Sequence, residues 1–162
     1  GMLQRATGNY RFFYDADAST PIEELDNCRP LFDAGADIII GSRASPDSVI
    51  QVRQAWYREY MGRCFNTLEK VLGVTVFKDT QCGFKGFTAA AAECCFARQT
   101  INRFSFDAEL LYIAHKHGLK VMELPVRWLN SPKSRVNPLT DASRMFFDLL
   151  VIRANDLAGR YR

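Results

Sequence analysis

The sequence predicts an α/β protein with a layered sheet, on three observations. Short apolar runs alternate with longer stretches of helical periodicity, a pattern that builds strands covered by helices. The 162 residues are 48% hydrophobic and 24% charged, ordinary values for one folded domain with a core of its own. A pair of aspartates, Asp15 and Asp17, follows directly on the first apolar run, where open α/β sheets place their ligands.

The elements follow in chain order. Tyr10 to Tyr14 is short and aromatic and reads as a buried strand. Thr20-Pro21 opens a helix, with Thr20 as cap, Pro21 at the first position and Glu23 and Glu24 in the first turn. Asp37 to Gly41 is a second, β-branched strand, and Ser42 to Asp47 a loop. The spacing of Val52, Trp56, Tyr60, Phe65, Leu68 and Leu72 predicts a helix over Ile50 to Leu72, ended by Gly73. A polar loop from Asp79 leads into a short strand at Phe84 to Phe87. Helices are predicted over Ala89 to Ala97 and over Phe106 to His117, the second capped by Ser105 and closed by Gly118. Lys120 to Leu124 is a strand stopped by Pro125. Asn130 to Pro138 is polar and read as mobile, and Thr140 to Leu157 is a last amphipathic helix.

The formal net charge of +3 and a pI of about 8.7 fall short of a nucleic-acid charge load, but they suit an anionic substrate or an anionic membrane surface. Cys28, Cys64, Cys82, Cys94 and Cys95 are odd in number and lack zinc spacing, so they read as reduced thiols in a cytoplasmic setting. No apolar run approaches the roughly 18 residues of a membrane span, and no signal peptide is read, so any membrane contact is expected to be peripheral.

Asp15 and Asp17 carry the strongest chemical signal. In an extended segment, residues two apart point the same way, so both carboxylates face one ion. Carboxylate oxygens suit Mg²⁺ or Mn²⁺, which in turn bridge phosphate oxygens. Merely capping the next helix is the plainer alternative. Asp15-Ala16-Asp17-Ala18-Ser19-Thr20 also approaches the Asp-x-Asp-x-Thr pattern of phosphatases that use an aspartate nucleophile. Those enzymes need a further acidic cluster after a later strand, whereas Ile38-Ile39-Ile40 is followed by Gly41-Ser42-Arg43.

Phe13-Tyr14-Asp15-Ala16-Asp17 with Thr20-Pro21-Ile22-Glu23-Glu24-Leu25 resembles the metal-binding segment of family 2 glycosyltransferases, in the dolichyl-phosphate glucosyl- and mannosyltransferase branch. Ile40-Gly41-Ser42-Arg43, Asp79-Thr80-Gln81-Cys82-Gly83-Phe84-Lys85, Phe106-Asp107-Ala108-Glu109-Leu110-Leu111, Leu124-Pro125-Val126-Arg127-Trp128 and Ser134-Arg135-Val136 resemble later segments of that branch, in the same order. Arg135 stands where the branch usually has lysine, which keeps the charge and changes the donor geometry. The resemblance implies a GT-A-like sheet that lacks the N-terminal nucleotide-binding strands, so that the chain is the C-terminal part of a single domain.

It also implies roles. Asp15 and Asp17 would hold Mn²⁺ or Mg²⁺ and the donor diphosphate. Gln81, Gly83 and Lys85 would line the sugar and acceptor side, and Asp107 would be the acceptor-site carboxylate and general base. Arg127, Lys133 and Arg135 would clamp the diphosphate or the lipid phosphate. The implied reaction is inverting transfer of a hexose from a nucleotide diphosphate sugar to a polyprenyl phosphate of the dolichyl type. A saccharide acceptor, an aspartate-nucleophile phosphatase and a catalytically incomplete binding fragment remain as alternatives. Each role has a plainer counterpart: a structural turn at Gly83, a helix-dipole contact for Asp107 and Glu109, a solvated basic loop around Arg127. Trp128 reads as core rather than as a sugar platform, and His115 and His117 as polar groups of a helix end. The stripe Met145, Phe146, Leu149 and Ile152, flanked by Arg144, Arg153 and Arg160, reads as core-facing, with a peripheral membrane contact as its alternative. A homodimer covering an exposed sheet edge is a further expectation.

Overall fold

The computed structural model describes residues 2–52, 54–102, 104–129 and 138–162. The chain runs α1 (Met2–Arg5), β1 (Tyr10–Tyr14), a 3₁₀ turn (Ile22–Leu25), α2 (Arg29–Asp33), β2 (Ile38–Ser42), β3 (Val49–Val52), α3 (Trp56–Val71), β4 (Phe84–Thr88), α4 (Ala89–Arg98), α5 (Phe106–Lys116), β5 (Val121–Pro125), β6 (Arg127–Leu129) and α6 (Pro138–Leu157). Four strands form one sheet in the order β1-β4-β2-β5, and β3 and β6 form a small parallel pair. β4 is antiparallel to both β1 and β2, while β5 runs parallel to β2. Hence β1, β2 and β5 share one direction, and their carboxyl ends lie at the same edge as the amino end of β4.

Strand alternation divides the core in two. Ile38, Ile40 and Phe87 point to the face covered by α4, α5 and α6, and join Ala91, Ala92, Leu110, Leu111, Leu149 and Ile152. Ile39 and Phe84 point to the opposite face, where Cys28, Phe32, Leu124 and Val126 cover them. β2 is therefore buried on both sides, which is why it reads as an unbroken β-branched run. α4 starts because Thr88 accepts a hydrogen bond from the Ala91 amide at 3.2 Å and four alanines follow.

Three expectations are corrected. The helix predicted from Thr20-Pro21 is a single 3₁₀ turn without a side-chain cap, since the buried Thr20 hydroxyl turns to Cys82 Sγ, 3.9 Å away. The long helix predicted from Ile50 starts only at Trp56. Val49 to Val52 pair instead with β6, because β-branched residues take a strand where a partner strand is at hand. Ser105 precedes α5 but makes no capping bond, and its buried Oγ has no hydrogen-bond partner. All five cysteines are free thiols, of which Cys28, Cys82 and Cys95 are buried, and Trp128 is buried as expected. The segment read as mobile, Asn130 to Pro138, lies outside the described residues except for Pro138, as do Lys133 and Arg135. Among the described residues no helix is long and apolar enough to cross a membrane.

Candidate active site

Polar side chains far apart in sequence meet at the edge where β1, β2 and β5 end. β1 delivers Asp15 and Asp17, β2 delivers Arg43, and the loop into β4 delivers Asp79, Gln81 and Gly83. β4 itself carries Lys85, and the first turn of α5 carries Asp107. The carboxyl ends of parallel strands are where α/β sheets bind ligands, because the chain there leaves the sheet and exposes backbone and side-chain polar groups.

The segment after β1 is a turn rather than an extension. The Ala18 amide donates to Asp15 O at 3.1 Å, and Ala18 takes φ +53, a left-handed conformation. The expectation that Asp15 and Asp17 align as on a strand is thus corrected. Both remain exposed and electrostatically coupled. One oxygen of Asp17 accepts from the Ser19 amide at 3.0 Å. The Asp15 amide donates to Gly83 O at 2.8 Å, and the Asp15 carboxylate lies against Gly83, where a Cβ would fall 1.8 Å from Oδ2. That partial desolvation raises the Asp15 carboxyl above its ordinary value and the charge of Asp17 raises it further, while Lys85 and Arg43 pull it back.

Two ion pairs flank these aspartates. Arg43 Nε and Nη2 donate to Asp79 Oδ2 and Oδ1 at 2.7 and 2.8 Å, a bidentate pair, and the Arg43 amide adds a third bond at 2.9 Å. Burial pushes the Asp79 carboxyl up, but the charge and hydrogen bonds of Arg43 prevail and hold it below its ordinary value. The Arg43 guanidinium sits 5.3 Å over the Trp128 ring, so Trp128 serves as its floor.

The second pair is Lys85 and Asp107. Lys85 is 0% exposed, and its side chain leaves β4 on the same face as Phe87, toward α5. Its Nζ lies 2.5 Å from Asp107 Oδ1, a charge contact poorly aligned for a hydrogen bond, and donates to Cys82 O at 2.6 Å. Phe13 covers the ammonium at 5.8 Å and packs edge-on against Phe106. Burial raises the Asp107 carboxyl, Lys85 lowers it, and the net direction is upward.

The other expected residues fall as follows. Gln81 is half-buried, and its Nε2 has no hydrogen-bond partner. Arg127 turns to Glu24, donating to Oε1 at 2.8 Å, and so pins β6 to the 3₁₀ turn. Sequence reasoning assigned no part in the site to Arg43, Asp79 or Glu24. Arg43 and Asp79 stand in the motifs quoted above, yet nothing in either motif states that they pair.

Among the described residues, Asp15 and Asp17 are the two carboxylates of the cluster that form no ion pair, although Lys85 and Arg43 act on Asp15 from a distance. Among the described residues no three His, Cys, Asp or Glu side chains gather into a metal cage. A divalent ion held by one or two carboxylates and completed by substrate phosphates needs no such cage, so the donor set fits Mg²⁺ or Mn²⁺.

A mixed sheet flanked by helices, with carboxylates at the shared ends of its parallel strands, is GT-A-like, the layered fold class of nucleotide-diphospho-sugar transferases. No family model matches the chain. The dolichyl-phosphate beta-glucosyltransferase of Homo sapiens is 36% identical over 155 residues, 91% of this chain and 48% of its own length. Those of Drosophila melanogaster and Saccharomyces cerevisiae are 33% and 30% identical, covering 100% and 96% of this chain and 51% and 50% of their own lengths. Over nearly its whole length the chain is a homologue of part of the dolichyl-phosphate beta-glucosyltransferases. It spans about half the length of the curated relatives it matches.

Proposed function

We propose that this chain carries the carboxylate side of a sugar-transfer site: it binds the diphosphate of a nucleotide diphosphate sugar and serves inverting transfer of the hexose to a polyprenyl phosphate of the dolichyl type. The observation that carries this reading is the charge pattern. Among the described residues, Asp79 and Asp107 are ion-paired with Arg43 and Lys85, whereas Asp15 and Asp17 are exposed and form no ion pair.

Asp15 and Asp17 would hold Mn²⁺ or Mg²⁺, which when bound neutralises charge on the leaving nucleotide diphosphate. Gly83 leaves room for the Asp15 carboxylate, and the free amide donor of Gln81 is available to a sugar hydroxyl or a phosphate oxygen. A phosphate monoester has a second pKa of about 6, so the attacking oxygen of a lipid phosphate is already ionised at neutral pH. Asp107 then need not remove a proton. Held against Lys85, it orients the acceptor and keeps the buried ammonium neutralised. Leu149 and Ile152 of α6 are core residues, while Phe146, Phe147, Leu150 and Val151 are exposed near Arg144, a face suited to peripheral contact on the cytoplasmic side of a membrane holding the acceptor.

The test is calorimetric titration of UDP-glucose and GDP-mannose into this chain and into Asp17→Ala, with Mn²⁺ and with chelator. Binding that needs the metal and disappears in Asp17→Ala is the expected result. A chain that binds neither donor under any condition overturns the reading for this chain.

A further inference from the structure

Against Thr80 of the 79–83 loop stands a carboxylate that the proposed reaction does not use. Glu69 of α3 is 0% exposed. Its Oε1 and Oε2 lie 3.0 and 2.8 Å from the Thr80 hydroxyl, and Asn66 Nδ2 approaches Oε2 at 3.4 Å while also donating to Phe77 O at 3.1 Å. No cation pairs with it among the described residues. The charges that act on it are Asp79 of the loop and Asp107 of α5, both negative, and the cations Arg43 and Lys85 are engaged by those two.

Thr80 can donate to one oxygen and Asn66 to the other, but full burial with no paired cation disfavours the ionised form. A neutral carboxyl group can close the ring: one oxygen carries a proton and donates to Thr80 Oγ1, and the Thr80 hydroxyl donates to the other. The double contact with Thr80 therefore fits the acid form of Glu69. Thr80 is flanked by Asp79, whose Oδ1 accepts from the Gln81 amide at 3.2 Å, and three residues on, Gly83 O receives the Asp15 amide. A clasp on Thr80 thus bears on the whole path from Asp79 to Asp15.

We infer that Glu69 is a positioning residue: as a neutral acid it clasps Thr80 and holds the 79–83 loop closed under Asp15, and its ionisation loosens that loop. The consequence for donor binding rests on the proposed transferase reading, whereas the effect on the loop does not. Burial pushes the Glu69 carboxyl up to about 7 from 4.5; Thr80 and Asn66 oppose the rise, and Asp79 and Asp107 add to it. Opening the loop lets water reach the group and returns it toward its ordinary value. The closed loop thus binds the extra proton between about 4.5 and about 7, and its closure weakens as pH rises through that window and levels off above it.

The experiment is amide hydrogen exchange of Asp15 and Gln81 from pH 4.5 to 8, corrected for intrinsic chemistry, on the wild-type chain, Glu69→Gln and Thr80→Val. In the wild type, opening should increase at least about tenfold between pH 4.5 and 7, because a pKa that differs by one between closed and open loop changes the equilibrium by about a factor of ten. Glu69→Gln, a neutral group able to donate and accept, should be flat across that window. Thr80→Val should be open at every pH. Parallel pH profiles for wild type and Glu69→Gln overturn the inference. Donor titrations on the same variants test the transferase reading separately: no binding in any of them sinks that reading, and the exchange profiles still decide the role of Glu69.

Discussion

Gly83 and Asp15 occupy one space. The Asp15 amide donates to the Gly83 carbonyl at 2.8 Å, and the Asp15 carboxylate fills the position that a Cβ on residue 83 would take, 1.8 Å from Oδ2. In Gly83→Ala the clash is with the end of a side chain that can rotate, so the fold should survive at a cost of about 1 kcal/mol. The displaced carboxylate should abolish metal-dependent donor binding. Urea unfolding beside calorimetry checks both, and an alanine variant that binds donor normally contradicts the placement of Asp15.

Removing Arg43 should cost more than removing Asp79. Asp79 is 7% exposed and would be left charged and buried in Arg43→Ala, while the Arg43 side chain retains 27% exposure and could reach water in Asp79→Ala. We expect about 3 kcal/mol for Arg43→Ala, less for Asp79→Ala, and a double variant less destabilised than the sum. Denaturant unfolding of the four proteins gives the coupling directly.

Lys85→Met strips the buried Asp107 of its counter-charge. Lys85 is what lowers the Asp107 carboxyl, so its loss sends that group further up. A raised carboxyl favours the folded state in acid and loses that advantage as pH rises through its folded value. The destabilisation should therefore be about 3–5 kcal/mol near pH 8 and smaller at pH 5. Adding Asp107→Asn should recover a large part of it, read from unfolding curves at the two pH values.

Metal capture should follow Asp15. Its carboxyl is raised by partial desolvation and by Asp17, and an ion must displace the proton. Mn²⁺ affinity in the presence of donor should rise with pH through the acid range and then level off, with the midpoint above that of a free aspartate. Asp17→Asn removes the repulsion and should move the midpoint down while weakening the affinity itself. An unchanged midpoint in that variant means the two carboxylates do not sense each other.

Local signals in the sequence determined much of this protein. The apolar triplet Ile38-Ile39-Ile40, the alanine run after Thr88 and the glycine after α5 set strands and helices where they were expected, because propensity, capping and periodicity act over a few residues. Ordered motifs singled out Asp15, Asp17, Gln81, Gly83, Lys85 and Asp107 as candidates. Long-range packing decided the rest. Val49 to Val52 became a strand only because β6 lay beside it, and Thr20 gave up its cap to face Cys82. The pairs Arg43–Asp79 and Lys85–Asp107, and the clasp of Glu69 on Thr80, join side chains brought together by β4 running antiparallel between β1 and β2. A charge in a sequence carries no record of its partner. Which carboxylates are neutralised, and which remain open to a ligand, is fixed only when the folded chain closes the distance between them.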